Sequence, residues 1–431
     1  MKEWQRIADL SGLEPESVTV LGWVTHHRSS GRIEFVAIRD GTGEVQAVVR
    51  ADAVSAETWE ATRALTQEAA VRVSGQVRAD ARAPGGVELL VGELALVGAS
   101  ADYPLTPKEH GTDFLMEHRH LWVRTPRQAA VLRLRARIIH AIRAFLDDHG
   151  FVLADPPIIT PAAAEGTTTL FGIDYFGEAA YLSQSGQLYM EALAMALGRV
   201  YSFGPTFRAE KSKTRRHLSE FWMVEPEIAF CDFDENLVWQ EELVSYVVED
   251  VLRHASRELE TLGRDLDPLK KVQPPFPRLS YDEALGRLGE AGMPLSWGDD
   301  FGAAHETYLG SLFSAPVFIH RFPAAHKAFY MKPDPLRPEV ALAADLLAPE
   351  GYGEIVGGSQ RIDSPDLLAR RLQEHHLPAD TYDWYMDLRR YGSVPHSGFG
   401  LGVERLVAWV GKLEHVRETI PFARTLTRVW P

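Results

Sequence analysis

The stretch from Tyr201 to Glu227, YSFGPTFRAEKSKTRRHLSEFWMVEPE, decides how this chain folds. It reads as two strands joined by a basic loop. Arg208 and Glu210 are two residues apart, so on a strand both side chains leave one face. Past the loop, Phe221, Met223, Glu225 and Glu227 share a face by the same period. One sheet surface thus gathers a guanidinium, an aromatic ring and several carboxylates. A guanidinium fork suits a phosphate or a carboxylate, and an open ring suits a purine base. The intervening run, Glu210-Lys211-Ser212-Lys213-Thr214-Arg215-Arg216-His217, is a local basic patch.

The rest of the composition sets bounds. A chain of 431 residues has room for two or three domains. Hydrophobic residues make up 45% and charged residues 24%, which fits a water-soluble globular protein. No apolar run approaches the length of a membrane span, and no N-terminal signal segment is apparent, so the expected setting is the cytoplasm, with no membrane partner. The single cysteine, Cys231, excludes an internal disulfide framework and cannot by itself build a zinc site. A net charge of −15 argues against a nonspecific nucleic-acid coat and restricts any such contact to local faces.

Residues 1–100 read as a small β domain. Strand-like runs occur at Val18–Thr25, Arg32–Arg39, Glu44–Val49, Val71–Arg78 and Val87–Val97, with a helical segment, Ser55–Thr66, after the third. Gly41-Thr42-Gly43 marks a hairpin turn. Five strands with that inserted helix suit an OB-fold, whose sheet face often binds single-stranded nucleic acid. Phe35 offers a stacking ring and Gln46 a two-way amide. Residues 101–126, with prolines and few periodic apolar positions, read as a hinge. From 127 to 431 helices and strands mix without regular βαβ alternation, so an α+β domain on a mainly antiparallel sheet is expected. It opens with a helix, Arg127–His149, whose Val131, Leu134, Ile138, Ile142 and Phe145 recur at helical spacing, capped by Gly150. The following strand ends at Pro156-Pro157, an edge suited to a second copy of the chain. Residues 255–330 offer helical patterns and no assignable chemistry, with strands resuming near Val317–His320 and Ala328–Lys332.

Three more segments complete the pattern. Tyr181–Glu191 (YLSQSGQLYME) reads as a strand entering a helix, Asp345–Arg361 carries acids among glycines, and Gly398–Arg405 (GFGLGVER) is a glycine-rich strand that opens a helix near Arg405. The last is neither a dinucleotide loop nor a P-loop, because the acid-ending βαβ unit and the Gly-Lys-Ser/Thr triplet are both missing. Together these segments resemble the class II aminoacyl-tRNA synthetases, subclass b. The helix and strand ending at Pro157 resemble motif 1. Phe207-Arg208-Ala209-Glu210 through His217 and Phe221 resembles motif 2, and Gly398–Arg405 resembles motif 3. The order holds along nearly the whole chain.

The resemblance implies an antiparallel sheet with flanking helices, a homodimer, and activation of an amino acid by ATP for transfer to tRNA. It assigns Arg208 to the α-phosphate and the substrate carboxylate, and Arg405 to the γ-phosphate. It sets Glu210 and His217 at the adenine and phosphate end, and Phe221 against adenine. Asp345 and Glu354 correspond to acids that carry Mg²⁺. Glu165, Ser185 and Gln187 fall about the amino acid, with Glu165 and Gln187 near its ammonium; Gln187 also suits a helix start without a ligand. Arg361 corresponds to the arginine that donates to the substrate side-chain oxygen. Phe35 and Gln46 match positions that stack on and read the central anticodon base.

Aspartate and asparagine enzymes share this scaffold. An aspartate enzyme normally carries a lysine three residues after the second glutamine of its QSxQ segment, and here that position is Met190. Glu225, on the Phe221 face, can accept the NH₂ of an amide, whereas facing aspartate it would oppose a second carboxylate. L-asparagine and tRNA(Asn) are therefore the expected substrates, with Glu227 as the alternative reader on the same face. Two rivals are an aspartyl enzyme that also serves tRNA(Asn) and a tRNA-independent paralogue that forms asparagine. Met190 opposes the first and the OB-fold the second. A catalytically silent tRNA-binding protein is opposed by the presence of Arg208 and Arg405. Ala423, in Ile420-Pro421-Phe422-Ala423-Arg424, stands where relatives usually have proline.

Overall fold

A computed structural model describes residues 4–164 and 169–431. The chain divides into two compact units, one ending at Leu115 and the other beginning at Met116.

The first unit is a closed five-stranded barrel in the order β1-β2-β3-β5-β4. Its strands are β1 (Ser17–Ser30), β2 (Ile33–Arg39), β3 (Glu44–Arg50), β4 (Ala70–Ala79) and β5 (Val87–Gly98). β2 alternates strictly, with Glu34, Val36 and Ile38 buried and the residues between them partly exposed. That period of two turns Phe35 to the barrel's outer surface. The helix Ala56–Arg63 follows β3, and the Ser55 side chain accepts from Thr58 N at its start.

In the second unit an eight-stranded sheet runs β12-β13-β16-β17-β18-β11-β10-β6 among the described residues. β6 is Val152–Leu153 and runs parallel to β10 (Arg199–Phe207) at one edge. β10 pairs antiparallel with β11 (Glu220–Ala229), from Arg199 opposite Ile228 to Phe207 opposite Glu220. Beyond β11 lie β18 (His396–Gly402), β17 (Gly353–Gln360), β16 (Ala343–Ala348), β13 (Val317–His320) and β12 (Arg278–Ser280). All inner pairings are antiparallel; only the two edge strands run parallel to their neighbours. A small sheet of β7 (Ile159–Thr160), β9 (Glu178–Leu182) and β8 (Phe171–Tyr175) precedes the helix Gln187–Leu197, and β14 (Pro333–Asp334) pairs with β15 (Arg337–Ala341).

The helices Pro126–Asp148 and Phe233–His254 bury their apolar stripes in the main core. Val131, Leu134, Ile138, Ile142 and Phe145 are all at most 4% exposed, as the spacing predicts. Thr125 caps the first helix, and Gly150 follows it at φ 76°, a left-handed turn that glycine adopts without strain. A capping box of Asp232 and Glu235 starts the second.

Three expectations change. β10 stops at Phe207, so Arg208 and Glu210 lie in the loop after it rather than on a strand. Ala328–Lys332 forms no strand; Met331 makes an isolated bridge with Arg361, and Lys332 O accepts from Leu342 N. The stretch 101–126 contains two short helices, Thr112–Glu117 and Arg119–Trp122. Arg119 is 1% exposed and donates to the carbonyls of Glu418, Ile420 and Pro421 and to Gln128. A buried guanidinium needs that many acceptors, and few apolar positions were needed to fix the segment.

Cys231 is buried, and its surroundings push its thiol up to about 12, mainly through burial and then through Glu235 and Asp232. A protonated thiol is a poor nucleophile. The native protein is therefore expected to resist iodoacetamide at neutral pH and to react once guanidinium unfolds it, as read by mass spectrometry. Rapid labelling of the folded chain would contradict this burial.

Candidate functional site

Two cavities open on the face of the central strands. One, of about 300 Å³, is lined by Ser185, Gln187, Glu225, Glu227, Lys327, Asp345 and Arg361 among others. The other, of about 270 Å³, is lined by Glu210, Arg216, His217, Phe221, Arg405 and neighbours. They share a wall made of Arg208, Met223, Glu354 and Gly400. The period-two face of β11 supplies this arrangement directly, with Phe221 in the second cavity, Met223 in both, and Glu225 and Glu227 in the first.

Arg208 stands at the junction. Its guanidinium lies over the Phe221 ring at 5.5 Å, and among the described residues its Nη2 reaches only the Met223 sulfur at 3.9 Å. Its Nε is buried and has no hydrogen-bond partner among the described residues. A buried donor without an acceptor is costly, and an anion at the shared wall would satisfy it. Around the second cavity, His217 Nε2 approaches Glu210 at 3.4 Å, and its Nδ1 contacts Ser212 and Thr214. Burial and then Arg405 hold the His217 imidazole below its usual value. Arg405, in the first turn of the helix Val403–Val410, pairs with Glu354 at 2.9 Å.

Glu225 is 6% exposed and accepts from Ser185 Oγ, from Gly186 N at 2.9 Å and from Ser202 Oγ at 3.2 Å. Burial raises its carboxyl, and these bonds pull it back. Glu227 is 1% exposed and is held by Arg361 through Nε at 3.2 Å and through Nη2. Arg361 also donates to Ser359 at 2.6 Å and lies over the Tyr330 ring at 5.3 Å. Met190 is fully buried with Ala194 and Val200 and lines neither cavity. Glu165 lies outside the described residues.

Asp345, on β16, faces Gly357 of β17 in the strand register. A Cβ built on Gly357 would stand 3.1 Å from Glu354 Oε1 and 3.5 Å from Asp345 Oδ1, so both carboxylates converge on that glycine. Each has a cation beside it, Lys327 at 3.0 Å from Asp345 and Arg405 on Glu354. Burial raises the Asp345 carboxyl, Lys327 opposes this, and Glu354 raises it further. Burial would raise Glu354 as well, but Arg405 and Lys327 hold it below the usual carboxylate range. Two hard oxygen donors converging on one glycine suit a divalent cation bound together with the oxygens of an anionic ligand. Among the described residues no cluster of three or more ligating side chains occurs, so such an ion would take further oxygens from a ligand.

Several site residues carried no sequence signal. Lys327 and Glu306 come from the stretch 255–330. Glu306 pairs with Arg216 at 2.8 Å and accepts from Glu354 N at 3.2 Å; burial and then Glu354 push it up to about 7. Neither residue belongs to a short-range motif, because its partners, Asp345 for Lys327 and Arg216 and Glu354 for Glu306, lie far off in the sequence.

On the barrel, Phe35 and Gln46 line one shallow cavity with Arg28, Arg50, Arg78 and Arg82. Arg28 lies over the Phe35 ring at 4.8 Å, and Gln46 Nε2 donates to Glu88 at 3.4 Å. A ring beside several guanidinium groups suits stacked bases and phosphates.

The family model for class II tRNA synthetases (D, K and N) matches residues 111–426, and that for the OB-fold nucleic acid binding domain matches 18–97. The asparagine–tRNA ligase of Pelotomaculum thermopropionicum is 59% identical over 99% of both chains, and that of Symbiobacterium thermophilum 57% identical over 100% of both. The crystal structure of asparaginyl-tRNA synthetase from Pyrococcus horikoshii complexed with asparaginyl-adenylate superposes with a TM-score of 0.97 at 47% identity, each chain covered completely.

Gly398 packs against Glu227, which lines the first cavity. A Cβ there would lie 2.2 Å from Glu227 Oε1 and 2.4 Å from the Pro226 carbonyl oxygen. Gly398→Ala is expected to displace Glu227 from Arg361 and to cost about 2–4 kcal/mol of stability, read by chemical denaturation. A change below about 0.5 kcal/mol would mean that the strands absorb the extra methyl.

Proposed function

The chain belongs to the class II tRNA synthetases (D, K and N), and from that membership we propose how its residues carry out the reaction. The enzyme activates L-asparagine with ATP to asparaginyl-adenylate and transfers the asparaginyl group to tRNA(Asn). The observation that carries our reading is the pair of cavities joined at Arg208, whose buried Nε lacks a partner among the described residues.

Activation is attack by the asparagine α-carboxylate on the α-phosphate of ATP, with pyrophosphate leaving. Such a step needs alignment and charge neutralisation more than proton transfer. Arg208, at the shared wall, bridges the carboxylate in one cavity and the α-phosphate in the other. Phe221 stacks on adenine in the second cavity, with Glu210 and His217 at the adenine and phosphate end. Arg405 clamps the γ-phosphate. Asp345 and Glu354 would hold Mg²⁺, which when bound neutralises phosphate charge.

In the first cavity Glu225 reads the carboxamide. Three protein donors occupy Glu225, leaving about one of its roughly four acceptor positions for the substrate NH₂. Glu227 is paired with the Arg361 guanidinium, which neutralises its charge, whereas Glu225 is held by neutral hydroxyl and backbone donors and keeps its charge for the substrate NH₂, which favours Glu225 as the reader. Arg361 takes the substrate side-chain oxygen. Ser185 holds Glu225, and Gln187 with Glu165 receives the ammonium. Aspartate would set a second carboxylate against Glu225 and lose a bond.

Residues 1–100 serve as the OB-fold anticodon-binding domain, with Phe35 and Gln46 on the central anticodon base, 101–126 as the connection, and 127–431 as the catalytic domain. Val152, Leu153, Ile158 and Ile159 leave an apolar edge 39–44% exposed next to β6, which suits a homodimer. Among the described residues no helix is long and apolar enough to cross a membrane, and we place the enzyme in the cytoplasm.

Arg208→Ala is expected to abolish ATP–pyrophosphate exchange while the dimer persists in light scattering; normal exchange would remove the assignment. Glu225→Gln is expected to raise the KM for asparagine by roughly 100-fold and to leave the Kd for ATP within about twofold. Equal losses for both ligands would move the reading of the amide elsewhere.

A further inference from the structure

Behind the asparagine cavity is a buried charge that the reaction does not use. Glu191 is fully buried, one turn along the helix from Gln187. Four donors converge on it. Gln187 Nε2 at 3.0 Å and Tyr385 OH at 2.7 Å reach Oε1, and Arg389 Nη2 at 2.5 Å and His396 Nε2 at 2.9 Å reach Oε2. Burial alone would raise this carboxyl, but Arg389 and His396 more than offset it and hold it well below the usual range.

An ionised carboxylate only accepts, and four donors fill its acceptor positions. Gln187 can therefore offer Glu191 only its NH₂. Among the described residues no hydrogen bond engages Gln187 Oε1, and Gln187 lines the cavity. A flipped amide would set two oxygens against each other and turn two N–H donors toward the substrate. A neutral residue at 191 could both donate and accept, and would impose no direction. Burying a charge is expensive, and an apolar set of equal volume commonly folds as well or better. Here the charge does what an apolar set cannot.

We propose that Glu191 is a positioning residue that locks the Gln187 amide with its oxygen toward the asparagine ammonium. The inference rests on the reading of Gln187 given above. It is tested with succinamate, which is asparagine without the α-amino group. Calorimetry gives the ratio of asparagine to succinamate affinity for the full-length enzyme, for Gln187→Ala and for Glu191→Gln, with ATP affinity as the control for an intact fold.

The expected result is that Glu191→Gln lowers this ratio roughly tenfold, the scale of one charged hydrogen bond, while succinamate and ATP affinities stay within about twofold. Gln187→Ala lowers it by a similar factor, and the double variant loses no more than either alone. Tyr385→Phe, which removes a different donor from Glu191, leaves the ratio unchanged. If Glu191→Gln alone fails to fold, Glu191→Gln with Arg389→Met removes both charges and carries the same measurement. An unchanged ratio in the folded Glu191 variant, beside a lowered one in Gln187→Ala, overturns the positioning role alone. An unchanged ratio in Gln187→Ala overturns the reading of Gln187 and the inference with it. Equal weakening of asparagine and succinamate marks Glu191 as merely structural and also overturns the proposal.

Discussion

Glu404 ties the catalytic unit together. It is 3% exposed, pairs with Arg135 at 2.7 Å and accepts from Trp222 N at 3.0 Å. Arg135 comes from the long helix Pro126–Asp148, Trp222 from β11, and Glu404 from the first turn of the helix Val403–Val410. Three segments far apart in sequence are thus pinned by one carboxylate. Burial raises that carboxyl and Arg135 opposes the shift. Removing either member would leave the other charged, unpaired and away from water, a loss on the order of 3–5 kcal/mol. Arg405, next in sequence to Glu404, reaches Glu354 because this anchor fixes the helix start.

Much of the fold was legible because periodicity is a local property. The five barrel strands and the stripe Val131–Phe145 follow from spacings of two and of three to four residues, and both are found. The strand reading of Arg208 and Glu210 failed for a physical reason. Backbone pairing continues for one hydrogen bond past Phe207, from Arg208 N to Ser219 O, and then the basic loop diverges. Ala328–Lys332 carries strand-forming residues, yet its backbone is engaged by turns and by single bonds to Gln360, Ile362 and Leu342 rather than by a ladder.

The site divides along the same line. Residues with a shared period on β11, or on the glycine-rich strand β18, could be assembled on paper. Lys327, Glu306 and Glu191 could not, because their meaning depends on partners 18, 48 and 205 positions away. Each is a charge whose neighbours come from other elements. Sequence marks such residues only as acids or bases, and the fold decides whether they meet solvent, a counter-ion or a ligand. Glu225 and Glu227 make the point within one strand. They are two residues apart and equally buried in outlook, yet one is held by hydroxyl and backbone donors and the other by a guanidinium.

The wall of Arg208, Met223, Glu354 and Gly400 is thin enough to belong to both cavities. Two weak fragments, one filling each chamber, could be joined by a tether crossing that wall. The tether turns the second contact into an intramolecular one, so its effective concentration can reach the millimolar range. A purine mimic coupled to a carboxamide-bearing chain would then gain affinity from geometry alone. Selectivity would then rest on the first chamber, whose lining includes Glu225, Glu227 and Arg361.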